Sequence, residues 1–170
     1  MKKLSVGIIC FLVLAGSALA EITLGGYVNL DERLQTTDPG GYSFNRSYLG
    51  IKLKSTIGEQ AAAYGELRIR SMDFPQVYQG NDLTQPGSVS PVELELREAY
   101  VDLYSFPAKN MDLRAGKQRI AWGTADKLNQ VDNINPYDFT DPLDFGEKIP
   151  TTSLKLTSYF GDNTFTAVAV

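Results

Sequence analysis

The 170-residue sequence contains no histidine, and its one cysteine, Cys10, lies close to the N-terminus. Without histidine the chain lacks the general base of serine–histidine triads and the commonest ligand of zinc sites. A carboxylate pair such as Asp138 and Asp141 could do acid–base work, but nothing in the sequence places a substrate beside it. The composition therefore predicts a protein that is not an enzyme, and it gives no sign of a cofactor or a disulfide bond.

Basic residues are outnumbered by acidic ones, 16 to 20, which gives a net charge of −4. This balance does not suggest a nucleic-acid partner, because nucleic-acid binding depends on basic side chains that neutralise phosphates. Beyond the first 20 residues, no apolar run approaches the length of a membrane-spanning helix. A soluble β-protein and a membrane β-barrel both remain open at this point.

Residues 1–20 have the pattern of a secretory signal peptide. Lys2 and Lys3 give a positive start, Leu4–Leu14 is apolar, and Ala18–Ala20 (ALA) matches a small-residue cleavage site before Glu21. The apolar run is short for a transmembrane anchor. We therefore expect cleavage of residues 1–20 and export of residues 21–170.

Alternation of apolar and polar residues, which is typical of strands with two different faces, recurs along the exported part. In one such stretch Leu49 and Ile51 share a face, whereas Arg46 and Tyr48 share the other. The phase of the alternation changes near Arg97, which indicates a bulge. The pattern predicts an antiparallel up-and-down meander of about seven strands: Ile22–Leu34, Phe44–Thr56, Ala61–Met72, Val92–Tyr104, Met111–Trp122, Thr152–Phe160 and a strand that begins at Thr164.

The connections between these strands alternate between short and long, and the longest is the loop 123–150. Outer-membrane barrels have this rhythm, with short periplasmic turns and long external loops, whereas a soluble meander has no reason for it. The polar faces are charged on nearly every strand, and the opposite faces lack the aromatic residues that fill a sandwich core. We expect an all-β fold that is the N-terminal part of a transmembrane outer-membrane β-barrel. The alternative is a secreted β-sandwich with a structural or adhesive role and no transport activity.

Seven strands fall short of a bacterial single-chain barrel, which normally has an even number from eight upward. Val170 lies in mid-strand after Phe165–Ala169, whereas outer-membrane barrels usually end on an aromatic residue. Open sheet edges are not tolerated within a bilayer. We therefore expect the sequence to be the N-terminal part of a longer protein.

Three segments carry a resemblance to a known family. Leu113–Gly123 reads LRAGKQRIAWG, Asp132–Asp138 reads DNINPYD, and Arg97–Leu103 reads REAYVDL. Over roughly Leu94–Phe160 the sequence resembles a family of Gram-negative outer-membrane β-barrels of largely unassigned function, related to the alginate-export porins. The resemblance implies a considerably longer barrel in the cell outer membrane, and it does not assign a substrate.

The charged residues of the strands and of the long loop have opposite signs. An acidic loop folded toward a basic wall would create a transverse field that selects ions and polar solutes. The alternative is that these charges only solvate a lumen and an external loop. The candidate basic lining consists of Arg46, Lys52, Arg68, Arg70 and Arg114, and the candidate acidic constriction loop consists of Asp126, Asp132, Asp138, Asp141 and Asp144.

The same loop also raises the question of calcium, because it is rich in Asp and Asn. The segment 132–136 fails the EF-hand pattern of alternating carboxylates followed by glycine, so only an irregular calcium site stays open. Trp122 and Tyr137 are expected to be interfacial aromatics where the chain leaves the membrane. The tyrosines of the strands have a second interpretation, as a track that binds sugars or aromatic solutes.

The sequence therefore predicts an outer-membrane porin or channel for small polar or anionic solutes, with an inward-folded acidic loop and a basic-lined lumen. The partners expected are outer-membrane lipids, the barrel-assembly machinery and a small polar solute. The oligomeric state is not predicted.

Overall fold

The computed structural model describes residues 20–35, 41–72, 84, 92–122, 132–140 and 147–170. The predicted signal peptide, apart from its last residue, lies outside the described residues. The strands are β1 (Ala20–Gln35), β2 (Gly41–Ile57), β3 (Ala61–Met72), β4 (Val92–Leu103), β5 (Met111–Gln118), β6 (Thr151–Phe160) and β7 (Asn163–Ala169).

The seven strands form one sheet in which each strand pairs with its neighbours in the sequence, in the order β1 to β7. The last three pairings show the antiparallel register directly. Leu103 pairs with Leu113 across β4 and β5, Met111 pairs with Ser158 across β5 and β6, and Phe160 pairs with Asn163 across β6 and β7. The predicted all-β antiparallel meander is confirmed.

The fifth strand is shorter than predicted, because β5 ends at Gln118 and not at Trp122. At the position where the ladder stops, the backbone N–H of Ile120 donates to the side chain of Asn135, a residue of the long loop, at 2.8 Å. A loop side chain thus replaces the neighbouring strand as the hydrogen-bond partner. Alternation alone could not reveal this end, because the apolar residues continue beyond it.

The chain divides into two compact units. One contains Leu53–Gly65 and Glu98–Val170 together with the start of β1. The other contains Leu24–Lys52 and Glu66–Arg97. We call them the Glu98–Val170 unit and the Leu24–Lys52 unit.

In both units the apolar faces are more exposed than the polar faces. In the Leu24–Lys52 unit, Leu30 is 73% exposed, whereas Glu66 is 6% exposed. In the Glu98–Val170 unit, Phe165 is 66% exposed, whereas Ser153 is 4% exposed. Among the described residues the buried aliphatic side chains are those of Ala62, Ile120 and Pro150. This distribution is the reverse of that in a water-soluble protein, where aliphatic residues are the most buried.

The phase change predicted near Arg97 is present in β4. Before it, Leu94 and Leu96 are exposed and Arg97 is buried, whereas after it Val101 is the exposed apolar residue. The exposed apolar positions therefore move from even to odd numbers along one strand.

Gly116 in β5 has a backbone conformation that requires glycine. Its φ of 134° lies in a region that side chains with a Cβ rarely adopt. A Cβ at this position would also overlap the carbonyl oxygen of Ala99 and come within 2.7 Å of Tyr100 Cα. Glycine therefore allows β4 and β5 to approach closely at this pair.

Candidate functional site

The polar face of the Leu24–Lys52 unit carries a cluster around the buried carboxylate of Glu66, which we call the Glu66 cluster (Tyr27, Tyr48, Lys52, Glu66 and Arg68). Glu66 accepts a hydrogen bond from the Tyr27 hydroxyl at 2.6 Å and pairs with Arg68 Nε at 3.2 Å. Lys52 Nζ lies 3.9 Å from the same carboxylate. One acid on β3 thus organises donors from β1, β2 and β3.

Aromatic rings complete this cluster. The Arg68 guanidinium lies 4.7 Å from the centre of the Tyr48 ring, and Lys52 Nζ lies 4.7 Å from the centre of the Tyr27 ring. Both contacts have cation–π geometry. Gly50 leaves the space that Tyr27 occupies, because a Cβ at residue 50 would overlap the tyrosine ring.

The Glu98–Val170 unit carries a second polar cluster on β4 and β5. Arg114 forms a two-pronged ion pair with Asp102, with N–O distances of 2.6 and 3.0 Å. This is the bidentate geometry in which arginine pairs most strongly with carboxylates. The guanidinium also lies 4.1 Å from the centre of the Tyr100 ring, which packs on Tyr64 with 5.2 Å between centroids.

The described part of the long loop is held by buried polar side chains. Asn135 is 1% exposed and Gln118 is fully buried. The Asn135 amide nitrogen lies 3.3 Å from Gln118 O, 3.1 Å from Ile149 O and 3.1 Å from Thr151 Oγ1. Its amide oxygen accepts from Ile120 N, as described above. A single side chain therefore joins the end of β5, the loop and the start of β6.

Lys148 is the second buried anchor of the loop, with 3% exposure. Its ammonium donates to the carbonyl oxygens of Asp132 at 2.7 Å and Asn135 at 3.1 Å, and it lies 3.4 Å from the centre of the Tyr137 ring. Residues 137 and 148 also form an isolated antiparallel bridge. The segments 132–140 and 147–150 are thus folded on each other.

The five residues predicted as a basic lining are found in the two polar faces, and four have described acidic partners. Lys52 and Arg68 share Glu66, and Arg114 pairs with Asp102 as given above. Arg70 pairs with Glu93 at 2.7 Å. Arg46 is 8% exposed. The carboxylates lie on the same faces as the cations, so these faces carry mixed charge.

Asp132 and Asp138, the two predicted loop acids that the structure describes, form contacts with other residues of the loop. Asp132 is buried, and its carboxylate lies 4.0 Å from Lys148 Nζ. Asp138 accepts hydrogen bonds from the backbone N–H and the hydroxyl of Thr140. Three further predicted members lie outside the described residues: Asp126, Asp141 and Asp144.

The predicted interfacial aromatics have different surroundings. Trp122 is 37% exposed just beyond β5. Tyr137 packs against Phe139, with 5.8 Å between ring centroids, and against Lys148. The described contacts of Tyr137 therefore place it among the loop anchors.

No helix within the described ranges is long and apolar enough to cross a membrane. The described residues also contain no group of three or more His, Cys, Asp or Glu side chains that could hold a metal ion. In the Asp- and Asn-rich segment that raises the question of calcium, the Lys148 ammonium is the cation beside Asp132.

Sequence reasoning missed the residues that organise these sites, namely Glu66, Asp102, Gln118, Asn135 and Lys148. A signal existed for the first two, because acids on a polar face next to strands rich in Arg and Lys are expected to pair across the sheet. The loop anchors gave no such signal, since their partners are backbone groups distant in sequence.

The profile of one protein family, described as Protein of unknown function (DUF1302), matches residues 41–163, well over half of the chain. The match includes the whole segment that carries the resemblance described above. No curated protein and no solved structure matches the chain.

Proposed function

Since the chain belongs to the DUF1302 family of unknown function, we propose from its own geometry that it forms part of an outer-membrane β-barrel that passes small polar or anionic solutes. The aliphatic faces would contact lipid, and the polar faces would line a water-filled lumen. We also propose that the family is related to the alginate-export porins, as the sequence resemblance implies.

The observation that carries this proposal is the reversed exposure of the two faces. On β1 alone, Ile22, Leu24, Val28 and Leu30 are between 59% and 73% exposed. Burying a side chain of this kind is worth roughly 1.5–3 kcal/mol. A continuous apolar surface of such residues is unusual on a water-soluble monomer, whereas lipid would cover it favourably.

The polar faces support an aqueous lumen for a second reason. Their ion pairs include partly exposed groups, such as Lys52 at 45% and Glu93 at 65% side-chain exposure. Charged side chains in contact with hydrocarbon are costly, and those of a barrel therefore face the water-filled interior. The same ion pairs make the proposed lining mixed in charge and not uniformly basic.

An inward-folded loop that narrows the lumen stays part of the proposal. Its anchors are Asn135 and Lys148, which hold the loop at the ends of β5 and β6. Asp132 and Asp138 have contacts within the loop, so the proposed field is tested on the other three predicted acids, Asp126, Asp141 and Asp144, which lie outside the described residues. Neutralising these three together should then change ion selectivity more than neutralising Asp138 alone.

The first experiment compares the proposal with a secreted β-sandwich. We expect the full-length protein to fractionate with outer membranes, to need detergent for solubility and to migrate differently on gels before and after boiling. A protein that is soluble without detergent and shows no heat-dependent mobility would be the sandwich.

The second experiment tests transport itself. The full-length protein in planar bilayers should give stepwise increases in conductance, and liposomes that contain it should swell in solutions of small sugars. A protein that is folded and inserted but gives neither signal would contradict the pore and leave only a structural role in the membrane.

A further inference from the structure

We propose that a cleft on the polar face of the Glu98–Val170 unit binds a small neutral polyhydroxylated solute, such as a single sugar unit. This inference deepens the proposed function, because it names the class of solute that the lining would bind. The cleft has a volume of about 160 Å³, and the lining residues that matter are Asp102, Tyr104, Asp112, Arg114, Lys155 and Tyr159.

Strand register places the charges of the cleft next to one another. Asp102 pairs with Arg114 across β4 and β5, and Arg114 pairs with Lys155 across β5 and β6. Directly opposed residues share one face of a sheet, so two cations stand side by side. Like charges in this position destabilise a sheet, which makes the pair of Arg114 and Lys155 a feature that packing does not require.

Only one of the two cations is neutralised by a neighbour. Arg114 is held by both oxygens of Asp102. Among the residues that the structure describes, the side-chain ammonium of Lys155 forms no ion pair or hydrogen bond, although it lines the cleft. An ammonium has three donors to offer, so Lys155 presents hydrogen-bonding capacity to an occupant.

A second lining acid, Asp112, is bound only by neutral donors within the described part of the chain. Asp112 accepts from the Tyr159 hydroxyl at 2.9 Å and from the backbone N–H of Ser105 at 3.0 Å. A carboxylate has about four lone-pair sites, so acceptor capacity is left over. Thr157 adds a hydroxyl to the cleft, since it pairs with Asp112 across β5 and β6.

These groups favour a neutral occupant with many hydroxyls. The cleft has two cations, Arg114 and Lys155, and two acids, Asp102 and Asp112, so their charges cancel. Hydroxyl groups both donate and accept, and can therefore satisfy Lys155 and Asp112 together. A solute carboxylate would gain from Lys155 but would be opposed by both acids.

The rings and the size of the cleft point to the same class. Tyr104 is 41% exposed and Tyr159 is 44% exposed, so their apolar faces are open to the C–H groups of a solute. The volume is well below the roughly 300–1,000 Å³ of pockets for drug-sized ligands. One sugar unit is therefore a better match than a bulky ligand.

The test measures binding directly and does not depend on conductance. Glucose and glucuronate share a ring and differ only at C6, where glucose has a hydroxymethyl group and glucuronate a carboxylate. Each is added to the detergent-solubilised full-length protein, and binding is followed by saturation-transfer NMR. We expect glucose to bind at least as well as glucuronate. Lys155→Met and Asp112→Asn should each weaken glucose about three- to tenfold, the size expected for one lost hydrogen bond.

Lys54→Met is the matched control, because Lys54 is an exposed lysine of the strands that does not line the cleft. It should leave glucose binding unchanged. Heat-dependent gel mobility checks that each variant is folded.

Three outcomes would overturn the cleft assignment. They are a folded protein that binds neither sugar, glucose binding that is insensitive to both cleft variants, and glucuronate binding that is much tighter than glucose and lost in Lys155→Met. The last outcome would make the cleft an anion site. A protein that binds glucose but forms no channel would instead disprove the pore and leave the cleft standing.

Discussion

At the scale of single residues, buried amides and carboxylates do much of the work that aliphatic side chains do in soluble proteins. Asn135 and Glu66 are almost completely enclosed, whereas the leucines of β1 are open. A buried polar group is stable only when its hydrogen bonds are made. The stability of the fold therefore depends on the hydrogen-bond partners of these buried side chains. Removing one partner should lower the free energy of unfolding.

Asn135→Ala is expected to release the loop. The change leaves Ile120 N–H and the carbonyls of Gln118 and Ile149 without their partner, and each unsatisfied buried group costs about 1–3 kcal/mol. Hydrogen exchange at Ile120 should accelerate, and proteases should cut the loop faster. Asn163→Ala, at an exposed position at the start of β7, is the control and should change neither rate. If the rates of hydrogen exchange at Ile120 and of loop proteolysis were the same in both variants, the Asn135 hydrogen bonds would not be what holds the loop.

At the scale of elements, the strands follow from alternation and the close contacts between them follow from glycine. Most strand limits lie within a few residues of the sequence-based expectation, because a two-faced sheet requires a period of two. The early end of β5 was not predictable, since it depends on a loop side chain that competes for the backbone. Ion-pair partners were not predictable either, because they depend on register between strands.

Gly116→Ala should weaken the pairing of β4 with β5. The φ of 134° is strained for alanine, and the new Cβ would overlap backbone atoms that cannot rotate away. We expect a clear decrease in the denaturant concentration at which the folded protein unfolds. Gly65→Ala is the matched control, because a Cβ added there would meet no atom within 4 Å and the φ of Gly65 is ordinary. Similar stability of the two variants would contradict this role for Gly116.

At the scale of the whole molecule, the medium that each face of the sheet contacts, water or lipid, determines how much a substitution lowers the free energy of unfolding. The alternation predicts two faces but not whether a second sheet or lipid covers the apolar one, because a sandwich and a barrel share the same alternation. Adjacent residues of β1 offer a direct test of the proposed barrel. Val28 is on the aliphatic face and is 66% exposed, whereas Asn29 is exposed on the other face.

Val28→Arg should destabilise the protein in a bilayer much more than Asn29→Arg. Arginine on the lipid face of a barrel costs about 2–4 kcal/mol near the midplane, whereas a lumen position tolerates it. Unfolding in urea from lipid vesicles, followed by gel mobility, gives both values. If Val28 faced water, both variants would be close to wild type, because surface substitutions rarely change stability by more than about 0.5 kcal/mol.

The period of two along the strands also affects how the unfolded chain would be exported across the inner membrane, as the proposed function requires. The apolar surface is assembled from every second residue of several strands, so it exists only after the sheet has formed. In the extended chain the same residues are separated mostly by polar and charged neighbours, as in Ile51–Lys54 (IKLK). A translocation channel that retains segments of about 19 continuous apolar residues would find none in these strands. In the proposed outer-membrane barrel, the lipid-facing surface would thus be hidden from the inner membrane during export.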